Sequence, residues 1–277
     1  MKVEELAFSI LSGGNIQDKL LKPDEVRFDS KSQSYAHDAD RKPARNFSIQ
    51  FSEKRSRFPK RGSLEVLENR AKTLHFFANH ELLAIEFMAW AILEFSYDKN
   101  FQKKVYATLV DEQKHLELYI NRIQDMGIEF GDFPLNDFFW RQVKSIESVE
   151  HYLCSMSLCF EMANLDFASE YADIFRQFDD NASSQIMEEV LKDEIRHVAI
   201  GWNGLKTIVG RDSVWEYFIE NLPMPLTPQR SKGVVFNRNA RERAGVSHQF
   251  IENLMRFNDD YAITQRRQWK QNQHSTN

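Results

Sequence analysis

Glycine and proline are scarce, 10 and 7 in 277 residues, together about half their usual share. So little loop punctuation argues against a strand-rich sandwich or barrel and for long helices. Cysteine is scarcer still. Cys154 and Cys159 lie five apart, which offers neither a disulfide framework nor a C-x-x-C redox or zinc pair. Both are expected to pack as small hydrophobes on one helix. No run approaches the roughly 18 apolar residues that span a bilayer. The longest, residues 82–93, is interrupted by Glu86. The start, Met1-Lys2-Val3-Glu4-Glu5, lacks the charged-then-apolar order of a secretory signal. The expectation is a soluble cytoplasmic protein with no membrane partner.

What is there is enough apolar material, 42% of residues, to bury one large or two small cores. The net charge of −5 hides a split. Residues 62–220 hold 14 Lys/Arg against 28 Asp/Glu, residues 1–61 hold 13 against 9, and residues 221–277 hold 9 against 4. An acidic middle is thus flanked by two basic arms.

Hydrophobic periodicity divides the chain into three parts. Residues 1–62 read as a short helix (2–11) followed by an extended arm (23–62) that wraps the body. Residues 63–212 read as a four-helix bundle, with helices over 63–95, 100–126, 146–177 and 184–208. Short turns pair the first helix with the second and the third with the fourth, while 127–145 crosses between the pairs. Residues 213–277 read as a helical extension, with helices at 213–221 and 247–270 around a proline-rich loop.

A repeat carries the chemistry. Residues 109–115 read LVDEQKH and residues 191–197 read LKDEIRH, so D-E-x-x-H occurs twice, 82 residues apart. One chance match is expected about 0.04 times in a chain of this composition, and two are of order a thousandth. Glu and His at i and i+3 share a helix face. Around Glu112 and His115 that face carries Val105, Leu109, Leu116 and Tyr119; around Glu194 and His197 it carries Met187, Val190, Leu191, Val198 and Gly201. A carboxylate on so apolar a face needs a metal or a partner to neutralise it. Carboxylate and imidazole donors without thiolate suit iron or manganese.

Two E-x-x-H helices supply half of a carboxylate-bridged two-metal site, and each facing helix must add an acid. The first helix offers Glu81 or Glu86, and the third offers Glu161 or Asp166. Glu161 shares its face with Cys154, Leu158, Leu165, Ala168 and Ala172, whereas Asp166 sits with Ser169, Glu170 and Asp173, a solvated edge. Glu161 is therefore the interior acid, and Glu81, 80 residues before it, follows by the repeat. The first helix alone leaves Glu86 open, because it too has apolar neighbours. The expected ligands are Glu81, Glu112, His115, Glu161, Glu194 and His197. Glu86 and Asp166 are the alternative acids, and Asp111 and Asp193 are placed to accept a ligand histidine's free ring N–H. His75, His80 and His151 fall outside the repeated frame and read as packing or surface residues. Tyr119 reads as core packing in preference to a redox group beside the metals. Gly201 and Gly204 either open a channel or let helices pack closely.

The segments FFANHELLAIEFMAWAILEF (76–95), DEQKHLELY (111–119), FEMANLD (160–166) and DEIRHVAIGW (193–202) resemble a ferritin-like family known as a domain of unknown function. The similarity extends to AFSIL near the start and MPLTPQRSKG (224–233) near the end. It implies an all-α, ferritin-like four-helix bundle holding two iron ions, or iron plus manganese, on the same six residues. It implies no substrate.

Such a centre reacts with dioxygen. The leading expectation is an oxygen-dependent oxidoreductase, a hydroxylase or oxidase, acting on an unknown substrate with an electron donor if it is a monooxygenase. The alternatives are a ferroxidase or iron-handling protein without organic substrate, and a non-enzymatic, metal-stabilised interaction domain. The basic arms read first as straps over the acidic bundle and only secondarily as nucleic-acid contacts. A homodimer is a further expected arrangement.

Overall fold

The computed structural model describes residues 1–28, 42–54, 57–210 and 213–259. The protein is all-α, with no strand among the described residues. Its helices are α1 (Val3–Ser12), α2 (Ile16–Lys19), α3 (Leu67–Glu94), α4 (Lys99–Asp125), α5 (Val149–Tyr152), α6 (Met162–Gln177), α7 (Asn181–Val209), α8 (Val214–Asn221), α9 (Arg238–Arg243) and α10 (His248–Arg256). A π-helical segment, Leu153–Glu161, joins α5 to α6 without a break. The chain forms two compact units. The first comprises Met1–Lys144 with Ile174–Ile186, and the second Ser145–Asp173 with Met187 onward.

In the first unit α3 and α4 form a helical hairpin. Asp98 starts α4 by accepting the backbone N–H groups of Asn100 and Phe101 at 3.0 and 2.9 Å. Gly127, at φ 78°, stops it, and the Ile128 N–H turns back to the Ile123 carbonyl. By length and composition α3 could cross a membrane, which corrects the expectation that no stretch is long and apolar enough. However, 89% of its most apolar stretch is buried within the protein, and it carries the buried acids Glu81 and Glu86. It is a core helix. The described part of the N-terminal arm is non-helical until the short turn Arg61–Ser63. It is held through the N–H groups of Ala44 on Leu11, Asn46 on Gly14 and Ser52 on Leu135.

In the second unit the segment from α5 to α6 lies against α7. A Cβ at Gly201 would come within 2.1 Å of the Ser157 Cβ, and one at Gly204 within 3.2 Å of Leu153. The space beside Gly201 and Gly204 is therefore filled by the π-helical segment, and close packing, not a channel, is what these glycines permit. Replacing Gly201 by Ala is expected to cost about 1–3 kcal/mol in chemical denaturation through overpacking. Adding Ser157→Gly, which removes the opposing Cβ, should restore part of that loss.

The C-terminal extension differs from expectation. α10 ends at Arg256, because Phe257 turns extended and Lys232 Nζ caps the Leu254, Met255 and Phe257 carbonyls at 2.5–3.0 Å. The rest of the expected 247–270 helix lies largely outside the described residues. An unexpected short helix, α9, precedes it.

Candidate metal centre

In the first unit Glu81 on α3 and Glu112 and His115 on α4 are buried together, each offering a donor atom within 4.8 Å of the others. In the second unit Glu161 closes the π-helical segment, and Glu194 and His197 stand on α7, all three again buried. Glu161 and His197 offer donors within 4.8 Å of one another. Each unit therefore has the same composition: one acid from a first helix, and a Glu-x-x-His pair from the helix after it.

The geometry within each pair is also alike. His115 Nδ1 lies 3.6 Å from Glu112 Oε2, and His197 Nδ1 lies 3.4 Å from Glu194 Oε2. These separations exceed the usual hydrogen-bond range. They match two donors about 2.1 Å from one cation at an angle of about 110–120°. Each half holds two glutamates and one imidazole, so one divalent cation per half would balance its carboxylate charge. Cys159 offers no thiolate alternative: burial pushes its thiol up to about 12. The residues present fit a hard or borderline divalent metal.

The alternative acids are engaged elsewhere, in matching fashion. Glu86 Oε1 meets Lys19 Nζ and Arg45 Nε, both at 3.1 Å, and Oε2 meets Arg45 Nη2 at 2.7 Å. Asp166 receives Arg241 bidentately at 2.6 and 2.9 Å, together with the Gly233 and Asn237 N–H groups at 2.8 and 2.6 Å. Arg45 lies over the Phe51 ring and Arg241 over the Phe236 ring, both at 3.9 Å. Lys19, Glu86, Asp166 and Arg241 are all fully buried. The reading of Asp166 as a solvated edge is thus corrected. Its local neighbours are polar, but α9 and the loop before it cover it. Burial lowers the Lys19 pKa, and Glu86 beside it acts in the opposite direction.

Asp193 is buried and meets Arg196 Nη1 at 3.1 Å, while Asp111 is half-buried. Residues that sequence reasoning missed include Asn164, whose Nδ2 donates to Glu194 Oε1 at 2.9 Å. The π-helical turns before Glu161 were missed as well. Such turns often occur at functional sites, but no residue type announces them.

His75, His80 and His151, outside the repeated frame, take part in packing and local hydrogen bonds. His75 Nε2 accepts the Gly131 N–H at 2.9 Å and its ring packs on Phe130 and Phe133. His80 stacks on Phe139, and His151 Nδ1 faces the Glu147 N–H at 3.3 Å. Tyr119 packs on Phe77. Burial, only partly offset by Asp132, lowers the His75 pKa to about 4. A histidine so depressed takes up its proton first in the unfolded chain. Stability is therefore full above the unfolded value near 6.5 and falls as pH drops toward 4, by about 3 kcal/mol over that window. Burial lowers His80 to about 4 as well, so the His75→Gln variant should reduce, and not abolish, the slope of that part of the stability-versus-pH curve measured in urea.

An all-helical chain with a buried acid and histidine cluster that could hold a metal is the class these observations define. The chain belongs to the family described as "Protein of unknown function (DUF455)", which it matches over residues 14–252. An uncharacterized protein of Haemophilus influenzae is 28% identical over 152 residues, 52% of each chain. The similarity to that relative thus spans about half the length of either protein. No solved structure matches the chain.

Proposed function

We propose that each buried half holds a metal ion, that the fold is a ferritin-like four-helix bundle, and that the protein is an oxygen-dependent oxidoreductase, a hydroxylase or oxidase. The observation that carries this reading is the repeated half-site, in which a buried acid accompanies a buried Glu-x-x-His pair with carboxylate and Nδ1 turned toward each other. A glutamate from each of two helices with Glu-x-x-His from each of two others is the donor pattern of di-iron and di-manganese carboxylate bundles. Four carboxylates against two divalent cations leave the buried centre neutral. Two iron ions, or iron plus manganese, are the metals that donor set suits.

Glu81, Glu112, His115, Glu161, Glu194 and His197 would hold the ions. With Nδ1 toward the metal, each imidazole keeps its proton on Nε2, and Asp111 and Asp193 are the proposed acceptors that fix this tautomer. When bound in the ferrous state, the pair supplies two electrons to dioxygen. A hydroxylation would place one oxygen atom in the substrate and release the other as water, taking two protons and two electrons from a donor. The arm cations Lys19 and Arg241 are fully buried and Arg45 nearly so, which favours their role as straps over one as phosphate contacts.

The test is anaerobic loading of the apoprotein with ferrous iron followed by a pulse of oxygen. Fast consumption of oxygen with ferric absorption in the near ultraviolet supports the reading. Iron oxidation that continues to mineral-sized particles would favour iron handling instead. No oxygen uptake would leave the interaction-domain alternative.

A further inference from the structure

The cations of the N-terminal arm are of two kinds. Lys19 and Arg45 are buried on Glu86, and Lys22 and Lys42 pair with Glu117 and Asp137. The second kind stands further along. Residues 54–61 read KRSRFPKR, five Lys/Arg and no acid in eight positions, and no separate eight-residue stretch of the chain holds more than three. Lys54, Arg57, Lys60 and Arg61 are exposed, while Arg55 lies outside the described residues. The side chains of Lys54, Arg57 and Lys60 form no hydrogen bond, ion pair or ring contact among the described residues. The backbone here is extended, with Lys60 at φ −72° and ψ 143° after the fixed φ of Pro59. Phe58, between the cations, packs edge-on against Phe76 and Phe77 of α3, with ring centroids 4.8 and 5.8 Å apart. The aromatic residue thus anchors the run to α3, one helical turn before Glu81, and the charges are what the run offers to solvent.

We infer that residues 54–61 form a contact surface for the phosphate backbone of a nucleic acid. Unpaired cations at i, i+3 and i+6 of one extended run present like charges in series. A chain of regularly spaced phosphates complements such a series, whereas the mixed charges of a folded protein's surface do not. Phe58 is turned inward and provides no stacking platform, so binding follows charge and not base sequence. An anionic membrane fits less well. The run is not an amphipathic helix, and the exposed Val66 and Leu67 that follow it stand between the exposed acids Glu65 and Glu68, which an anionic surface repels. Glu53, also exposed, precedes the run and limits its length on the other side. The contact does not depend on the metal reading above.

The experiment is anisotropy titration of the full-length protein with a labelled single-stranded RNA about 20 nucleotides long, over a series of salt concentrations. DNA of the same sequence and phosphatidylserine vesicles are titrated alongside. Three phosphate contacts on a single strand should give log K against log salt a slope of about −2. RNA and DNA should bind alike, because neither the bases nor the 2′-hydroxyls are contacted. Replacing Lys54, Arg57 and Lys60 together by Ala should weaken binding at least about tenfold at low salt and bring the slope about two units nearer zero. Replacing Lys22, Lys42 and Lys72 by Ala removes the same charge from surface cations already paired with acids, and should leave binding within about twofold. All six side chains lie at the surface, and a thermal melt confirms that both variants fold. Wild type that fails to bind either strand at low salt would overturn the inference, whether or not it binds the vesicles. So would equal losses in the two triple variants, a slope unchanged by the first of them, or a preference above about tenfold for RNA or DNA.

Discussion

Arg241→Ala is expected to cost about 3–5 kcal/mol of stability, because it leaves the Asp166 carboxylate buried without its cation. In a protein of this size that corresponds to a fall of about 10 °C or more in the unfolding midpoint. The cost is large because the pair has nowhere to relax. Arg241 and Asp166 are both fully buried, the contact is bidentate, and the guanidinium also holds the Ser231 and Asn237 carbonyls at 3.0 Å. Removing only the cation therefore strands several acceptors. The double variant Arg241→Met with Asp166→Leu removes both charges and should recover much of the loss, since apolar replacement of a buried pair is often near neutral. Urea denaturation of the single and double variants separates these outcomes. A single variant within about 1 kcal/mol of wild type would show that Asp166 is not sealed by α9 as described.

The second large effect concerns the ligands, and its sign depends on whether metal is present. Glu112→Gln keeps the shape of the side chain while removing one charge from a buried set that includes Glu81. Without metal the variant should be more stable than wild type by about 1–3 kcal/mol, because it removes one of two neighbouring buried carboxylates that repel each other. With metal the order reverses. Wild type gains about 4 kcal/mol at a thousandfold excess of metal over its dissociation constant, and the variant gains little. Oxygen-dependent turnover should fall at least about a hundredfold, the scale on which even residues supporting a metal ligand act. Thermal melts with and without Mn²⁺ would show the crossing. Parallel shifts in both proteins would argue that Glu112 serves packing only. A stabilising substitution that abolishes function is the usual mark of a site kept against the interest of folding.

The long helices and the candidate ligands were legible because both depend on local spacing. An apolar stripe repeating every three to four residues identifies a helix, and Glu-x-x-His is contained within one turn. The apolar face around Glu161 singled it out on its own helix, and the internal repeat then placed Glu81 on a first helix that was ambiguous alone. What was not legible depends on residues far apart in the chain. The face of Asp166 looks solvated from Ser169, Glu170 and Asp173, and nothing near it shows that Arg241, 75 positions later, covers it. Glu86 was open for the same reason: its partners Lys19 and Arg45 lie in the arm. The charge split did carry this information in coarse form. The basic arms strap the acidic middle, but by buried, bidentate or shared ion pairs as well as by surface pairs such as Lys22 with Glu117 and Lys42 with Asp137. The π-helical segment and the end of α10 escaped because both are fixed by packing and capping partners, not by glycine or proline.

The central claim, that the two buried half-sites hold a pair of metal ions, is tested most directly by metal analysis of the protein purified without an affinity tag that binds metals. The account predicts two ions per chain, iron or iron with manganese, falling to one or fewer in Glu112→Gln and in Glu194→Gln. Protein purified or reconstituted with no bound metal, or with metal content unchanged by both substitutions, would contradict it.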